Sequence, residues 1–212
     1  VLARVDNDDI LQAMALPKGS MTLINDDMFL KINEYLLQQN TKLSNGGSAG
    51  NAIRALAHLD SCTGFIGKIG NDLYGQFFRK ELKKLSIEDK LLVSAERPSG
   101  VASTFISEGG ERTFATFLGA AATLLPEELT PEMFKDYTYL FIEGYLVQDH
   151  DLILQAIELA KREGLQVCLD MASYNIVEEN LEFFKLLLSK YVDVVFANEH
   201  EARAFTGLEP VE

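Results

Sequence analysis

YLFIEGYLVQDHDLILQAIELAKREGLQVCLD, Tyr139–Asp170, opens on the apolar run Tyr139–Ile142, which reads as a strand. Asp151–Glu163 then carries apolar residues at helical spacing and stops at Gly164, a residue suited to the left-handed turn that ends helices. Leu165–Leu169 is a second apolar strand. Strands of unbroken apolar character alternating with helices predict a parallel sheet covered on both faces.

The same rhythm runs outward in both directions. Downstream, Glu178–Lys190 reads as a helix, Val192–Ala197 as a continuous apolar strand, and Asn198–Phe205 as a helix closed at Gly207. Upstream, Ala49, Ala52, Ile53, Leu56 and Ala57 give the Gly47–His58 segment one buried helical face. Cys62–Ile66 is a short strand. Asp72 reads as the N-cap of a helix through Leu85, with Leu73, Phe77, Leu82 and Leu85 inward and Lys80, Lys83 and Lys84 outward.

Ser99–Phe117 breaks this pattern. Small or polar residues alternate with apolar ones around Gly109-Gly110, the signal of a β-hairpin. An antiparallel hairpin in a parallel-sheet protein is a candidate lid, and Leu16–Ile24 could add a strand to it. The expected fold is therefore α/β: a doubly wound, mainly parallel, Rossmann-like sheet with a small β-sheet lid. Residues 25–97 and 120–212 would form the core, incomplete on its C-terminal side; residues 1–24 and 98–119 would contribute the lid.

Composition narrows the function. The chain has 212 residues and a net charge of −13, with no Lys/Arg cluster interleaved with aromatics. Non-specific nucleic-acid binding needs a positive surface, so nucleic acid is not an expected partner. No apolar run approaches the roughly 20 residues that span a bilayer, and no secretory leader pattern opens the chain. Two cysteines, Cys62 and Cys168, fit a reducing, cytoplasmic setting and read as small buried hydrophobes. An acidic protein can still bind an anionic nucleotide through helix N-termini or a bound metal.

Three motifs can carry such chemistry. Gly46-Gly47-Ser48-Ala49-Gly50-Asn51 opens a helix, lets a ligand approach the backbone, and offers Asn51 to a polyol; it is neither a Walker A loop nor a GxGxxG fingerprint. Gly67–Gly75, with GxxGxDxxG spacing, is explained structurally: Gly70 turns the chain, Asp72 caps a helix and Gly75 allows close packing. Asn198-Glu199-His200-Glu201 follows an apolar strand, where ligands of open α/β sheets bind. Asn198 and Glu201 could hold water on Mg²⁺ beside a triphosphate, and a capping box explains the same pair equally well. His200 reads as a surface residue.

Taken in order, GGSAGNAIRALA, IGKIGNDLYG, GERTFATFLGAA, LDMASYN and FANEHEA resemble the landmarks of the ribokinase-like (PfkB) carbohydrate kinase family, with spacing similar to its adenosine-kinase-like sugar and nucleoside kinases. The resemblance implies ATP and Mg²⁺, with a monovalent cation as a further candidate, and a sugar or nucleoside as acceptor. It implies that Gly46, Gly47 and Asn51 bind substrate, that Arg112 in the hairpin turn reaches the ligand, and that Glu143 and Asp170 end strands facing the substrate. Asp170 stands where the family has DPN, but here the segment reads Asp170-Met171-Ala172-Ser173-Tyr174-Asn175. Asn198 and Glu201 match the family's NxxE, implicated with phosphates and, through water, with Mg²⁺. The resemblance places no catalytic residue in this segment. It puts a substrate-binding Asp just before Val1, and the catalytic base and anion hole beyond Glu212.

The expected activity is transfer of the ATP γ-phosphoryl group to a CH₂OH of a sugar or nucleoside. A kinase of a vitamin-like alcohol, a non-catalytic sensor of the same fold, and a dinucleotide-binding protein are the rivals. The last is disfavoured because no GxGxxG follows a strand. An open lid sheet also leaves a face or edge that a second copy could cover, giving a homodimer.

Overall fold

The computed structural model describes residues 1–5 and 8–208. Asp6 and Asn7, within the N-terminal VLARVDNDD segment, and residues 209–212 lie outside the described residues. The chain divides into two compact units.

The first unit holds residues 1–59 and 64–123. In chain order it contains β1 (Leu2–Arg4), α1 (Asp9–Ala13), β2 (Met21–Leu23), α2 (Asp26–Leu36), β3 (Thr41–Lys42) and α3 (Ser48–His58). It continues with β4 (Gly64–Gly70), α4 (Leu73–Lys84), β5 (Glu88–Ser94), β6 (Val101–Ile106) and β7 (Arg112–Phe117). β6 and β7 are the expected hairpin, paired antiparallel from Val101 opposite Phe117 to Ile106 opposite Arg112. They sit inside a five-stranded sheet of order β2-β7-β6-β1-β3. Met21–Leu23 is the strand foreseen within Leu16–Ile24, and it runs parallel to β7. A separate parallel pair joins β4 to β5.

One face of the five-stranded sheet is apolar and buried. Ala3, Phe105 and Ala115 meet Leu11, Ile32 and Leu36 from α1 and α2, and Phe29 stacks on Phe117 at 4.2 Å. α2 forms because Phe29, Ile32 and Leu36 recur at helical spacing and Asn25 caps its first turn by accepting from the Met28 N–H at 3.0 Å. α2 and β5 lie within residues 25–45 and 86–98, for which the sequence pattern above predicts no element.

The second unit holds residues 60–63 and 124–212, of which residues up to 208 are described. It contains β8 (Tyr139–Ile142), α5 (His150–Arg162), β9 (Gln166–Asp170), α6 (Tyr174–Glu179), α7 (Leu181–Lys190), β10 (Val194–Phe196) and α8 (Glu199–Thr206). The strands form a parallel sheet of order β10-β9-β8. Its core gathers Val167 and Leu169 of β9 with Ile153 and Ile157 of α5, Val177 of α6, and Phe184 and Leu187 of α7. Gly164, at φ +81°, ends α5 as expected, and Gly207, at φ +68°, ends α8. Parallel strands with helices between them make this an α/β protein, as expected; the mixed sheet that contains the hairpin has five strands.

Several local expectations change. The helix expected over Glu178–Lys190 begins later, as α7 at Leu181; Glu178 and Glu179 close α6, and Asn180, whose φ of −121° and ψ of 25° leave the helical region, separates the two. That break lets Val177 and Phe184, both wholly buried, reach one core. Leu73 points outward and is 79% exposed, because Asp72 is the cap and Leu73 begins the helix on its solvent side. Gly70 ends a strand instead of making a turn, since β4 runs on through it. Cys62 is exposed and precedes β4; Cys168 is buried in β9. The apolar face of α3 is only half-covered: Leu56 is 45% exposed and Gly50 is its one buried residue. The apolar run predicts a strand covered on both faces, yet Phe196 is 50% exposed, with β10 at the edge of its sheet among the described residues.

Candidate functional site

The predicted site residues fall into two groups, one in each unit. In the first unit, Gly47 is the N-cap of α3, at φ +84°, and no side chain caps the helix. A Cβ built at Gly46, Gly47 or Gly50 would meet nothing within 4 Å, so the approach to the diglycine is uncrowded. A helix N-terminus without a side-chain cap keeps backbone donors for a ligand. Asn51 is exposed on the first turn, its own N–H donating to the Gly47 carbonyl at 2.9 Å. Arg112, exposed, starts β7 and lies opposite Ile106, its guanidinium carbon 5.9 Å from the Phe114 ring centroid. Asp72 caps α4, accepting from the Gly75 N–H at 2.8 Å.

Sequence reasoning missed Asn45. Both polar atoms of its side-chain amide are buried and have no hydrogen-bond partner among the described residues. A buried amide left unpaired is costly, which marks Asn45, next to the diglycine, as a further candidate contact. An Asn abutting Gly-Gly was the only available signal.

In the second unit, Glu143, Asp170 and the Asn198–Glu201 pair follow the carboxyl ends of β8, β9 and β10, three neighbouring parallel strands. That end of an open parallel sheet is where α/β proteins place ligands. Gly144 lets the chain leaving β8 touch the chain leaving β9; a Cβ there would sit 2.2 Å from the Asp170 carbonyl oxygen. Ala172, at φ +63°, turns its N–H back onto the Asp170 carboxylate.

Asp170 is electrostatically loaded. Burial raises its pKa above the ordinary Asp value, and the negative charges of Glu201 and Glu143 raise it further, against the lowering effect of the Ala172 N–H. Three strand ends therefore bring like charges within reach of one another. The hydroxyl of Ser173, buried and without a partner among the described residues, lies three positions on. Sequence reasoning missed that residue too.

Glu201 is 5% exposed, and both of its carboxylate oxygens accept from Asn198: Oε2 from the backbone N–H at 2.9 Å, Oε1 from Nδ2 at 2.8 Å. The capping box is real. Among the described residues no group of three His, Cys, Asp or Glu side chains is arranged to hold a metal ion. A locked, buried carboxylate with lone pairs remaining fits a hard cation approached through water, not an all-protein cage. His200 is exposed and contributes only its backbone N–H, which Asn198 Oδ1 accepts at 2.9 Å.

Residues 20–212 match the family described as pfkB family carbohydrate kinase. The chain belongs to that family. This pfkB-family chain is 28% identical over 217 residues to guanosine-inosine kinase of Escherichia coli K12, covering 97% of the chain and 50% of the relative. It is 25% identical over 193 residues to ribokinase of Staphylococcus aureus, covering 87% of the chain and 61% of the relative. Among solved structures, adenosine kinase from Sinorhizobium meliloti superposes with a TM-score of 0.79 at 29% identity, over 99% of this chain and 64% of that one. The chain thus spans about half to two-thirds of the length of the proteins it matches.

Proposed function

We propose that the protein to which this chain belongs is an ATP-dependent kinase that phosphorylates a CH₂OH hydroxyl of a sugar or nucleoside. The observation that carries this reading is the placement of Glu143, Asp170 and the Asn198–Glu201 pair at the carboxyl ends of three adjacent parallel strands, in a chain of this family. Carboxylates held at strand ends are strong acceptors for the hydroxyls of a polyol.

In this reading Gly46, Gly47, Asn51 and Arg112 bind the acceptor, and Glu143 and Asp170 accept hydrogen bonds from its hydroxyls. Asn198 and Glu201 serve the nucleotide side, with Glu201 oriented by its bonds to Asn198 and meeting Mg²⁺ through water. Bound Mg²⁺ would neutralise phosphate charge during transfer. Catalysis would be largely a matter of positioning and electrostatics, as phosphoryl transfer generally is. A monovalent cation is a further candidate requirement.

A cytoplasmic setting belongs to the same reading, supported by cysteines that are both free thiols. No described helix is long and apolar enough to cross a membrane. A homodimer through the five-stranded sheet is also part of it. Met21 and Leu23, 51% and 57% exposed on the edge strand β2, are the surface a second copy would cover.

The test is a panel of guanosine, inosine, adenosine, ribose and fructose, offered with ATP and Mg²⁺ to the full-length protein. Saturable, Mg²⁺-dependent ADP formation with at least one acceptor is expected. ADP formation with none of them would defeat the kinase reading.

A further inference from the structure

The GxxGxDxxG stretch does more than cap a helix. Asp72 accepts from the Gly75 N–H through Oδ1 at 2.8 Å, the bond a cap requires. It also holds Ser99, 27 positions away: the Ser99 N–H donates to Oδ2 at 2.7 Å and the Ser99 hydroxyl to Oδ1 at 2.7 Å. Ser99 in turn accepts from the Gly70 N–H at 2.9 Å and is 3% exposed.

The glycines of the motif make this contact possible. A Cβ on Gly70 would lie 2.6 Å from the Ser99 nitrogen, and one on Gly75 would lie 2.8 Å from the Ser99 hydroxyl and 2.4 Å from the Gly70 carbonyl oxygen. Ser99 stands two residues before β6, where the chain leaves β5 for the hairpin. The returning chain is bound to the same strap: the Ala120 N–H donates to the Pro98 carbonyl at 2.7 Å. Thus the end of β4 and the start of α4 grip the base of the hairpin. α3, which carries the diglycine and Asn51, packs on β4, and the hairpin carries Arg112.

We propose that Asp72 is a positioning residue for acceptor binding: by holding Ser99 it fixes the β6–β7 hairpin, and with it Arg112, relative to the α3 N-terminus. The proposal rests on the kinase reading above. Burial would raise the Asp72 carboxyl, but the bonds from Gly75, Ser99 and Tyr74 outweigh it and hold its pKa below the ordinary value, so the grip is carried by the ionised form.

Asp72→Asn separates this role from capping. Asn is an equally good N-cap and keeps Oδ1 for Gly75 and the Ser99 hydroxyl, but it turns an NH₂ toward the Ser99 N–H, donor against donor. Ser99→Ala is the partner variant; it keeps the backbone bond and loses the hydroxyl. Asp149→Asn is the control, because Asp149 caps α5 by accepting from the Leu152 N–H at 3.0 Å, a bond within its own helix turn.

In the full-length protein, hydrogen–deuterium exchange and steady-state kinetics are measured together. Asp72→Asn is expected to speed exchange of the β6–β7 amides while α4 stays protected. It should also raise acceptor KM roughly ten-fold, the scale of one lost charge-assisted hydrogen bond, with ATP KM and kcat little changed. Ser99→Ala should give a smaller effect of the same kind, and Asp149→Asn none. Unchanged hairpin exchange, or fraying confined to α4, would overturn the proposal, as would faster hairpin exchange without any rise in acceptor KM. A wild-type protein inactive on every acceptor defeats the kinase reading instead, and the exchange data still decide whether Asp72 holds the hairpin.

Discussion

Asn198 and Glu201 hold each other through three hydrogen bonds: Glu201 accepts from the Asn198 N–H and Nδ2, and Asn198 Oδ1 accepts from the Glu201 N–H, as it also does from the His200 N–H. The pair closes the N-terminus of α8 directly after β10. Removing one oxygen acceptor by Glu201→Gln sets an NH₂ against an Asn198 donor. A loss of about 1 kcal/mol of helix stability is expected, together with a kcat about ten-fold lower and a shifted Mg²⁺ dependence. Initial rates across a Mg²⁺ titration decide it; a wild-type curve would remove Glu201 from the nucleotide side.

In the proposed kinase reading, Asn51→Ala and Glu143→Ala each delete one polar contact to the acceptor and leave the nucleotide side intact. Acceptor KM is expected to rise about three- to ten-fold, the equivalent of one hydrogen bond, with kcat nearly unchanged. A fall in kcat at constant KM would contradict the assignment.

Asp170 makes a pH-dependent prediction. Its folded-state pKa is raised, so between the ordinary Asp value and that raised value the folded chain binds more protons than the unfolded one. Its favourable contribution is present at low pH and disappears as pH rises through the raised pKa. Asp170→Asn should therefore be more stable than wild type at neutral pH, with the gain vanishing in acid. Urea midpoints measured from acid to neutral pH would show the difference widening; a gain independent of pH would refute the electrostatic cause. The same variant should bind the acceptor less well.

Gly144→Ala and Gly47→Ala contrast two reasons for glycine. At Gly144 a Cβ would meet the Asp170 carbonyl at 2.2 Å, so about 1–3 kcal/mol of overpacking is expected, displacing Asp170 as well. At Gly47 there is open space but φ is +84°, so the expected cost is backbone strain alone, about 1 kcal/mol. Denaturant unfolding compares the two, and equal costs would mean that the Gly144 contact relaxes easily.

Much of this was legible locally. Asp72 and Asn198 as caps, Gly164 and Gly207 as helix stops, and the turn at Gly109-Gly110 all follow from the sequence and stand in the structure. Each is a hydrogen bond or a dihedral requirement spanning a few residues. The order of motifs likewise pointed to the family. The amphipathic α2 is equally local, with Phe29, Ile32 and Leu36 at helical spacing behind the Asn25 cap.

What the chain alone determined was where each element starts, stops and turns, because those choices are settled among near neighbours. Tertiary structure decided what each face meets. It left Phe196 half-exposed on an edge strand, turned Leu73 and Cys62 to solvent, joined Ser99 to Asp72, and gathered charge around Asp170. Burial and pKa depend on atoms brought close from distant positions, and no local pattern records which atoms those will be.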